Sequence, residues 1–223
     1  MKLAIDSSQS SGSIALSAGG RVIYSAFFDI KITHSETLMP AIDLALKFCG
    51  ATPQDLSAVY VCQGPGSFTG LRIGIATAKG IAFGLNIPLF AYNSLELCAL
   101  AVSGLGRNIL CAIDAKMKEI YSAYYTPLLT EISPPELLSP VQLCQHEEDD
   151  FILCGSATGM LIPLLQESGH HFYPANSTLQ IPNAAGLFAL AELLPAKALP
   201  RKLAELEPLY LRESTAQVQN KAH

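Results

Sequence analysis

The run Gly64-Pro-Gly66-Ser67-Phe-Thr-Gly70 contains the residue types most typical of a phosphate-binding turn. A predicted strand, Ala58–Cys62, leads into it, and a predicted helix continues to about Gly84. In a strand–glycine turn–helix arrangement, unpaired backbone N–H groups point above the turn, where they can bind a phosphate. However, no Gly-Lys-Ser/Thr follows, and the glycine spacing differs from the dinucleotide fingerprint. Two interpretations stay open: a phosphate site at Gly64, Gly66 and Ser67, or a tight turn required by packing.

Two carboxylates end predicted strands. Ala4-Ile5-Asp6 is repeated as Ala112-Ile113-Asp114, and Ser7 follows the first copy. A carboxylate at a strand end can orient nucleotide-bound magnesium or cap nearby backbone. We therefore add Asp6 and Ser7 to the candidate nucleotide or phosphate residues. No Ser/His/Asp or Cys/His arrangement is detectable, so we predict no catalytic residue, and we interpret the acidic run at 147–150 as a solvated loop.

The six cysteines have no spacing that is typical of a metal site or a disulfide framework. None belongs to a C-x-x-C pair, and most lie in apolar runs. We predict reduced, mostly buried thiols and no metal site. The six are Cys49, Cys62, Cys98, Cys111, Cys144 and Cys154.

Two predicted helices carry more apolar surface than one contact with a sheet requires. In the helix from about His34 to Cys49, a first apolar face is joined by an adjacent face of Ala41, Leu44 and Phe48. Together they exceed the usual apolar stripe of about 100°. In the next helix, Gly70, Gly74 and Ala78 form a small-residue stripe. Each glycine costs a helix about 1 kcal/mol, so the stripe indicates close approach of another backbone. The neighbour could be the chain's own sheet or a partner subunit.

The order of elements predicts an α/β protein with an internal duplication. Strands at Lys2–Asp6, Gly12–Ala18 and Arg21–Phe28 precede helices and βα units, and the same plan restarts after about residue 104. We predict two lobes of mixed sheet with flanking helices, at 1–104 and 105–212, and a flexible tail at 213–223.

Composition favours a soluble, cytoplasmic protein that does not bind RNA by itself. Of the 223 residues, 50% are hydrophobic, and the formal net charge is −5. No apolar stretch approaches the roughly 20 residues that span a bilayer, and Asp6 interrupts any signal-peptide core. Positive residues are scattered, whereas a protein that binds RNA by itself has a basic surface. We therefore expect any contact with RNA to need another subunit.

The sequence resembles the TsaB (YeaZ) family of bacterial tRNA threonylcarbamoyladenosine biosynthesis proteins. The matching segments extend through most of the chain, and the Gly64–Gly74 run is the most specific of them. The resemblance implies an actin-like ATPase fold (ASKHA, ribonuclease H-like). The segments are Ile5-Asp6-Ser7-Ser8, the run from His34 to Pro40, the run Gly64–Gly74, the run from Asp114 to Tyr121, and Pro208-Leu-Tyr-Leu-Arg212.

The resemblance implies a non-catalytic scaffold subunit. Such a subunit pairs with the metal-bearing catalytic subunit TsaD and works with the ATPase TsaE. The complex forms N6-threonylcarbamoyladenosine at position 37 of tRNAs that read codons beginning with A. The two histidines of the TsaD H-x-x-x-H motif fall on Ser94 and Cys98 here, so we expect neither metal binding nor independent transfer by this chain.

The resemblance also implies contacts and a nucleotide location. Family members pair with TsaD, or with themselves when isolated, through a bundle of the two apolar helices. No nucleotide is expected to bind tightly to this chain, and ATP or ADP is left for the joint with the partner. The alternatives are an ATP-dependent small-molecule kinase of the same superfold and a self-sufficient metallopeptidase or transferase. The expected interface residues are His34, Leu38, Ala41, Ile42, Ala45, Thr69, Arg72, Ile75, Ala76 and Lys79.

Overall fold

The computed structural model of the protein describes residues 1–29, 34–145, 149–176 and 182–212. The predicted tail at 213–223 and part of the predicted acidic loop lie outside the described residues. Within them, ten strands form two mixed sheets of five strands each.

The first sheet has the strand order β3-β2-β1-β4-β5. Strand β2 is antiparallel to β1 and β3, whereas β4 and β5 run parallel to β1. Every residue of β4 is buried, as its unbroken apolar sequence predicts for a central parallel strand. The strands are β1 (Lys2–Asp6), β2 (Gly12–Ala18), β3 (Arg21–Phe28), β4 (Ala58–Cys62) and β5 (Leu89–Tyr92).

The second sheet repeats this topology, with the order β8-β7-β6-β9-β10. Its antiparallel and parallel pairings match those of the first sheet one for one. The predicted duplication and the predicted actin-like fold of two ribonuclease H-like sheets are confirmed. The strands are β6 (Asn108–Asp114), β7 (Ile120–Tyr125), β8 (Glu131–Leu138), β9 (Phe151–Cys154) and β10 (Phe172–Pro174).

The two helices predicted to end at about Cys49 and Gly84 end at Phe48 and Leu85. Ser67 caps the second helix by accepting a hydrogen bond from the Gly70 N–H, and Asn86 ends that helix in the left-handed conformation. The α-helices are α1 (His34–Phe48), α2 (Phe68–Leu85), α3 (Ser94–Ala99), α4 (Pro140–Leu143), α5 (Thr158–Glu167) and α6 (Gly186–Leu193). Short 3-10 helices occur at Pro53–Asp55, Leu100–Val102 and Pro195–Lys197.

Alternation along the strands divides the interior into three layers of apolar contact. Leu3 and Ile5 point to the outer face of the first sheet, where α1 and α2 cover them. Ala4, on the opposite face, belongs to a central core that includes α3, α6 and the inner face of the second sheet. Leu110 and Ala112 point to the outer face of the second sheet, against α5. The two sheets therefore share one core, and each has its own helical layer outside.

The C-terminal segment returns to the first half of the chain. Helix α6 packs against α3 and β4. Beyond it, the Arg201 N–H donates to the Leu89 carbonyl at 2.7 Å, and the Leu209 N–H donates to the Gln63 carbonyl at 2.7 Å. Leu206 is buried in the core beneath α1 and α2. The division after residue 104 therefore stays a prediction, but residues 186–209 pack largely on first-half elements, because those elements leave apolar surface that α6 and Leu206 cover.

In the described part of the chain, none of the helices combines the length and the apolar character needed to cross a membrane.

Gly155 directly follows β9 and Gly64 lies two residues beyond the end of β4, and both have backbone angles that favour glycine. Their φ angles are +104° and +102°. A Cβ on Gly155 would overlap the carbonyl oxygen of Ala112 on the neighbouring strand β6. The duplicated strand–glycine–helix turn is therefore fixed by both backbone conformation and space.

We expect Gly155→Ala to lower the free energy of unfolding by at least about 2 kcal/mol, because the alanine is strained and displaces β6. Gly159→Ala is the matched control. Gly159 lies in α5 with nothing within 4 Å of its Cβ position, so alanine should raise stability by up to about 1 kcal/mol. Urea unfolding followed by circular dichroism measures both. Equal stability of the two variants would contradict the packing of Gly155 against Ala112.

Candidate functional site

A cleft of about 700 Å³ lies between the two sheets, next to the ends of β1 and β6. The first half contributes the β1–β2 turn (Ser8–Ser10) and the start of α2 (Gly66–Phe68). The second half contributes the β6–β7 turn (Asp114–Met117), and Tyr210 and Arg212 line the rim. In open α/β sheets, ligands bind outside the carboxyl ends of the strands, so this cleft is the candidate ligand site.

The β1–β2 turn is hydrogen-bonded to the start of α2. The two segments can approach closely enough for these bonds because the contact positions on the α2 side are glycines. The Ser67 N–H donates to the Ser8 carbonyl at 2.7 Å. The Ser7 hydroxyl donates to the Gly70 carbonyl at 2.8 Å. A Cβ on Gly66, Gly70 or Gly74 would overlap Ser7 or Ser8. The small-residue stripe of α2 therefore accommodates the chain's own β1–β2 turn. Of the two neighbours left open by the sequence, the chain itself or a partner subunit, the structure supports the chain itself.

Three of the five predicted phosphate residues lie behind the cleft wall. Asp6 is buried and accepts a hydrogen bond from the Ser8 N–H at 2.9 Å. Burial raises the pKa of Asp6, although the hydrogen bonds from Ser8 oppose this effect. The Ser7 hydroxyl is occupied by Gly70, and Gly64 faces Leu71 and Leu209. These groups fix local backbone in this structure, which is the packing role that the sequence left open.

Gly66 and Ser67 do line the cleft, but Ser67 uses its polar groups within the chain. Its N–H donates to Ser8, and its hydroxyl accepts from the Gly70 N–H at 3.2 Å. The side-chain nitrogen of Gln9 is different, since it is buried and has no hydrogen-bond partner among the described residues. A buried amide donor without a partner is costly, so Gln9 is a better candidate for ligand contact than Ser67. No motif in the sequence marked Gln9.

The β6–β7 turn brings charge to the opposite wall. The Asp114 carboxylate accepts from the Lys116 N–H at 2.7 Å and from Lys116 Nζ at 2.8 Å. Partial burial acts to raise the pKa of Asp114, but the hydrogen bonds from Lys116 lower it below its usual range. Asp114 therefore stays ionised and paired at neutral pH.

The same turn has a strained backbone. Lys116, Met117 and Lys118 have φ angles of 62°, 55° and 61°, and left-handed conformation costs such residues about 1 kcal/mol or more each. The Arg212 guanidinium pairs with Glu119 and lies 3.4 Å from the Lys116 carbonyl oxygen. The contacts of Arg212 help hold the turn at the cleft, and strain of this kind is concentrated at functional sites.

Four of the predicted interface residues are core residues, which corrects their assignment to a partner contact. Leu38, Ile42, Ala45 and Ile75 are at most 4% exposed and pack between the helices and the first sheet. The sequence pattern identified two apolar faces of α1, and the residues assigned to the partner lie mainly on the face that covers the first sheet. The pattern could not distinguish the two faces, because both are apolar enough to be buried.

The other predicted interface residues lie at or near the surface. Thr69, Arg72 and Ala76 are exposed, and Ala41 and Lys79 are half-buried. The Arg72 guanidinium lies over the Phe68 ring at 3.9 Å, and its Nε donates to the Tyr210 hydroxyl at 2.9 Å. Arg72 therefore links α2 to the C-terminal segment.

His34 is half-buried at the start of α1. Its Nε2 lies 3.0 Å from the Gln9 carbonyl oxygen, and its ring packs near Phe28. This residue positions the β1–β2 turn and contributes little outer surface.

The outward surface of α1 and α2 is rich in exposed apolar side chains. Phe48 is 73% exposed and Phe83 is 79% exposed. Exposed apolar patches of this kind mark interaction sites. We call this region the outer helix surface, and it consists of Met39, Leu44 and Phe48 on α1 with Ala76, Gly80 and Phe83 on α2. The sequence had indicated Leu44 and Phe48 as the second apolar face of α1, but gave no signal for Phe83.

The positions that correspond to the H-x-x-x-H histidines have structural roles. The Ser94 hydroxyl donates to the Pro65 carbonyl, and Cys98 is buried. Between them, Glu96 is buried and paired with Lys197. Cys98 also lies beside Cys111 and Cys154, a cluster that sequence spacing did not predict because three separate elements contribute to it.

The comparisons with known proteins agree with this architecture. The family model for TsaD, described as tRNA N6-adenosine threonylcarbamoyltransferase, matches residues 29–219. The tRNA threonylcarbamoyladenosine biosynthesis protein TsaB of Bacillus subtilis (strain 168) is 32% identical over 171 residues, which are 74% of this chain and 75% of that protein. TsaB of Escherichia coli (strain K12) is 29% identical, covering 96% of this chain and 95% of that protein. The structure of YeaZ from Pseudomonas aeruginosa superposes with a TM-score of 0.80 at 28% identity, covering 94% of this chain and 99% of that one.

The fold and the cleft thus define an actin-like α/β protein with a TsaD-like domain. Within this class, the chain belongs to the TsaB family of tRNA threonylcarbamoyladenosine biosynthesis proteins.

We expect Ile75→Asp to unfold the protein or to destabilise it by about 3–5 kcal/mol, because it places an unpaired charge in the core. Ala76→Asp, one residue along α2 and exposed, should lower stability by no more than about 1 kcal/mol, which is mainly the poorer helix propensity of aspartate. Thermal unfolding of the two variants tests this. If Ile75→Asp were as stable as Ala76→Asp, Ile75 would belong to the surface.

Proposed function

We propose that this chain is a non-catalytic scaffold and activating subunit of the complex that forms N6-threonylcarbamoyladenosine on tRNA. It pairs with a TsaD-like catalytic subunit and works with a TsaE-like ATPase in the cytoplasm. Membership of the TsaB family supports the pathway. The outer helix surface supports the role of a subunit that acts through a partner.

The outer helix surface is the observation that carries the proposal. It places Phe48 and Phe83, each more than 70% exposed, outside two helices whose opposite faces already fill the core. Aromatic side chains dominate the binding energy of interfaces, and the small residues Ala76 and Gly80 allow a partner helix to approach α2 closely. A second copy of the chain can use the same surface when no TsaD-like subunit is present, so we expect the isolated protein to form a homodimer.

Carboxylates that are engaged within the chain, at the strand ends and on α3, support a role without independent catalysis. The carboxylates Asp6 and Asp114 are engaged with Ser8 and Lys116, and Glu96 is engaged with Lys197. The thiol of Cys98 and the hydroxyl of Ser94 replace the histidines that a TsaD-type metal site requires. Chemistry on the threonylcarbamoyl group is therefore assigned to the partner.

Charge supports contact with tRNA only through the complex. The formal net charge is −5, and at the cleft Lys116 is paired with Asp114 and Arg212 with Glu119. A surface that binds RNA directly needs unpaired cations to neutralise phosphates. The catalytic subunit is therefore expected to supply the main tRNA contacts.

Reconstitution of tRNA threonylcarbamoylation from purified components tests the function. Product measured by nucleoside mass spectrometry should require both this chain and the metal-bearing subunit, and this chain alone should give none. Full activity of the remaining components without this chain would overturn the proposal.

We expect Phe83→Asp to weaken pairing with the TsaD-like subunit about thirtyfold or more, since loss of an aromatic interface anchor costs about 2 kcal/mol or more. Leu128→Asp is the matched control, because Leu128 is 80% exposed but lies on the β7–β8 turn of the other half. Light scattering of the mixed subunits measures the pairing. Equal loss of pairing in both variants, or in neither, would contradict the outer helix surface as the contact.

The cleft favours a second candidate function, an ATP-dependent small-molecule kinase. Its volume of about 700 Å³ suits a nucleotide. We propose instead that ATP or ADP binds at the joint with the catalytic subunit, because Asp6, Ser7 and Gly64 lie behind the wall and Ser67 is occupied.

Calorimetric titration separates the two candidates. ATP with magnesium should show no micromolar binding to the isolated chain, since few donors in the cleft are available to its phosphates. Micromolar affinity together with turnover by the isolated chain would favour the kinase. The same titration with the TsaD-like subunit present tests for the nucleotide at the joint.

A further inference from the structure

Three cysteines from separate elements meet in the central core. Cys98 lies on α3, Cys111 on β6 and Cys154 on β9, and their sulfur atoms all lie within 4.8 Å of one another. Cys111 and Cys154 are directly paired neighbours on parallel strands. None of the three is more than 1% exposed. Their arrangement is set by the packing of α3 on the second sheet, and not by a loop.

The donor set is soft and limited to three ligands. Among the described residues, no histidine, aspartate or glutamate joins the group. The surrounding side chains, such as Ile109, Ile113 and Ala123, belong to the same apolar core. Thiolate ligands without oxygen or nitrogen select thiophilic ions, and three ligands suit a trigonal ion better than a tetrahedral one.

We propose that Cys98, Cys111 and Cys154 form a binding site for one trivalent thiophilic metalloid ion, of which trivalent arsenic is the probe. The reaction is a ligand exchange without electron transfer. Arsenous acid and three thiols give an arsenic tris-thiolate and three water molecules, as each As–OH bond is replaced by an As–S bond. The three thiol protons leave with the hydroxides as water.

The net charge of the complex favours a trivalent ion over a divalent or monovalent one. Three thiolates carry −3, so a trivalent ion gives a neutral complex. A divalent zinc or cadmium ion would leave −1, and monovalent copper would leave −2. An uncompensated charge in an apolar core is strongly unfavourable, so the neutral complex fits this site best.

Tyr125 supplies an additional polar group to the same core. Its hydroxyl is buried without a hydrogen-bond partner among the described residues. On β7, Tyr125 is two residues from Ala123, which is the cross-strand partner of Cys111, so both side chains face the same side of the sheet. An unpartnered donor at this position can stabilise sulfur atoms that have become ligands.

The full chain is reduced with a phosphine, unfolded and then refolded with arsenous acid, so that burial of the sulfurs does not block access. Native mass spectrometry should show the mass of one arsenic less three hydrogens, and X-ray absorption should show three sulfur neighbours. At a free concentration a hundred times Kd, the unfolding midpoint should rise by about 5–10 °C.

Single variants locate the site. Cys98→Ser, Cys111→Ser and Cys154→Ser should each lose at least about tenfold in arsenic affinity, because two thiolates remain. Cys62→Ser is the matched control, since Cys62 is also buried but lies outside the cluster, and it should bind like the parent.

Several outcomes would overturn the site. They are absence of the adduct in the parent chain, a coordination shell with fewer than three sulfurs, or dependence of the adduct on Cys62. Tighter binding of zinc or cadmium than of arsenic in the same refolding experiment would overturn the charge argument. If a variant fails to fold, the X-ray absorption measurement on the parent chain still tests whether three sulfurs bind the arsenic.

Discussion

The structure depends on the close contact between the β1–β2 turn and the start of α2. Gly66, Gly70 and Gly74 allow Ser7 and Ser8 to approach the helix backbone, and hydrogen bonds from Ser67 and Ser7 hold them there. This contact determines the rotation of α2 about its axis, and thereby which side chains face the sheet. It also builds one wall of the cleft. The glycines reduce the intrinsic helix propensity of α2, but the packing that they permit fixes both candidate functional surfaces.

The sequence predicted the architecture well because the duplicated elements have strong local signals. The unbroken apolar run of β4, the alternation of β2 and the turn glycines are local properties, and the repeat of Asp6 at Asp114 identified corresponding strand ends. The interface assignments of Leu38 and Ile75 did not anticipate their burial, because a sequence pattern shows how apolar a position is, and not what covers it. The strained turn at Lys116–Lys118 contains no glycine or asparagine, so its left-handed backbone had no sequence signal.

Long-range proximity accounts for the remaining features that the sequence did not predict. Cys98, Cys111 and Cys154 approach one another only after α3 has packed on the second sheet. Likewise, the importance of Gln9 follows from its burial without a partner, which no motif encodes. The two halves share one topology, but the carboxylates at their equivalent strand ends differ in electrostatic environment. Asp6 is buried against backbone, whereas Asp114 is ionised beside Lys116, so equivalent strand ends have different chemical properties.

The return of residues 186–209 to the first half has a consequence for folding cooperativity. Helix α6 and Leu206 complete cores that begin with residues near the N-terminus, and the Leu209–Gln63 hydrogen bond lies directly beside the glycine turn. The central core and the core beneath α1 and α2 therefore both contain residues from near the two ends of the chain. Contacts of high sequence separation slow folding, and their loss in one half removes packing from the other. A movement that opened the cleft by separating the two halves would have to preserve or break these contacts, including the Leu209–Gln63 hydrogen bond.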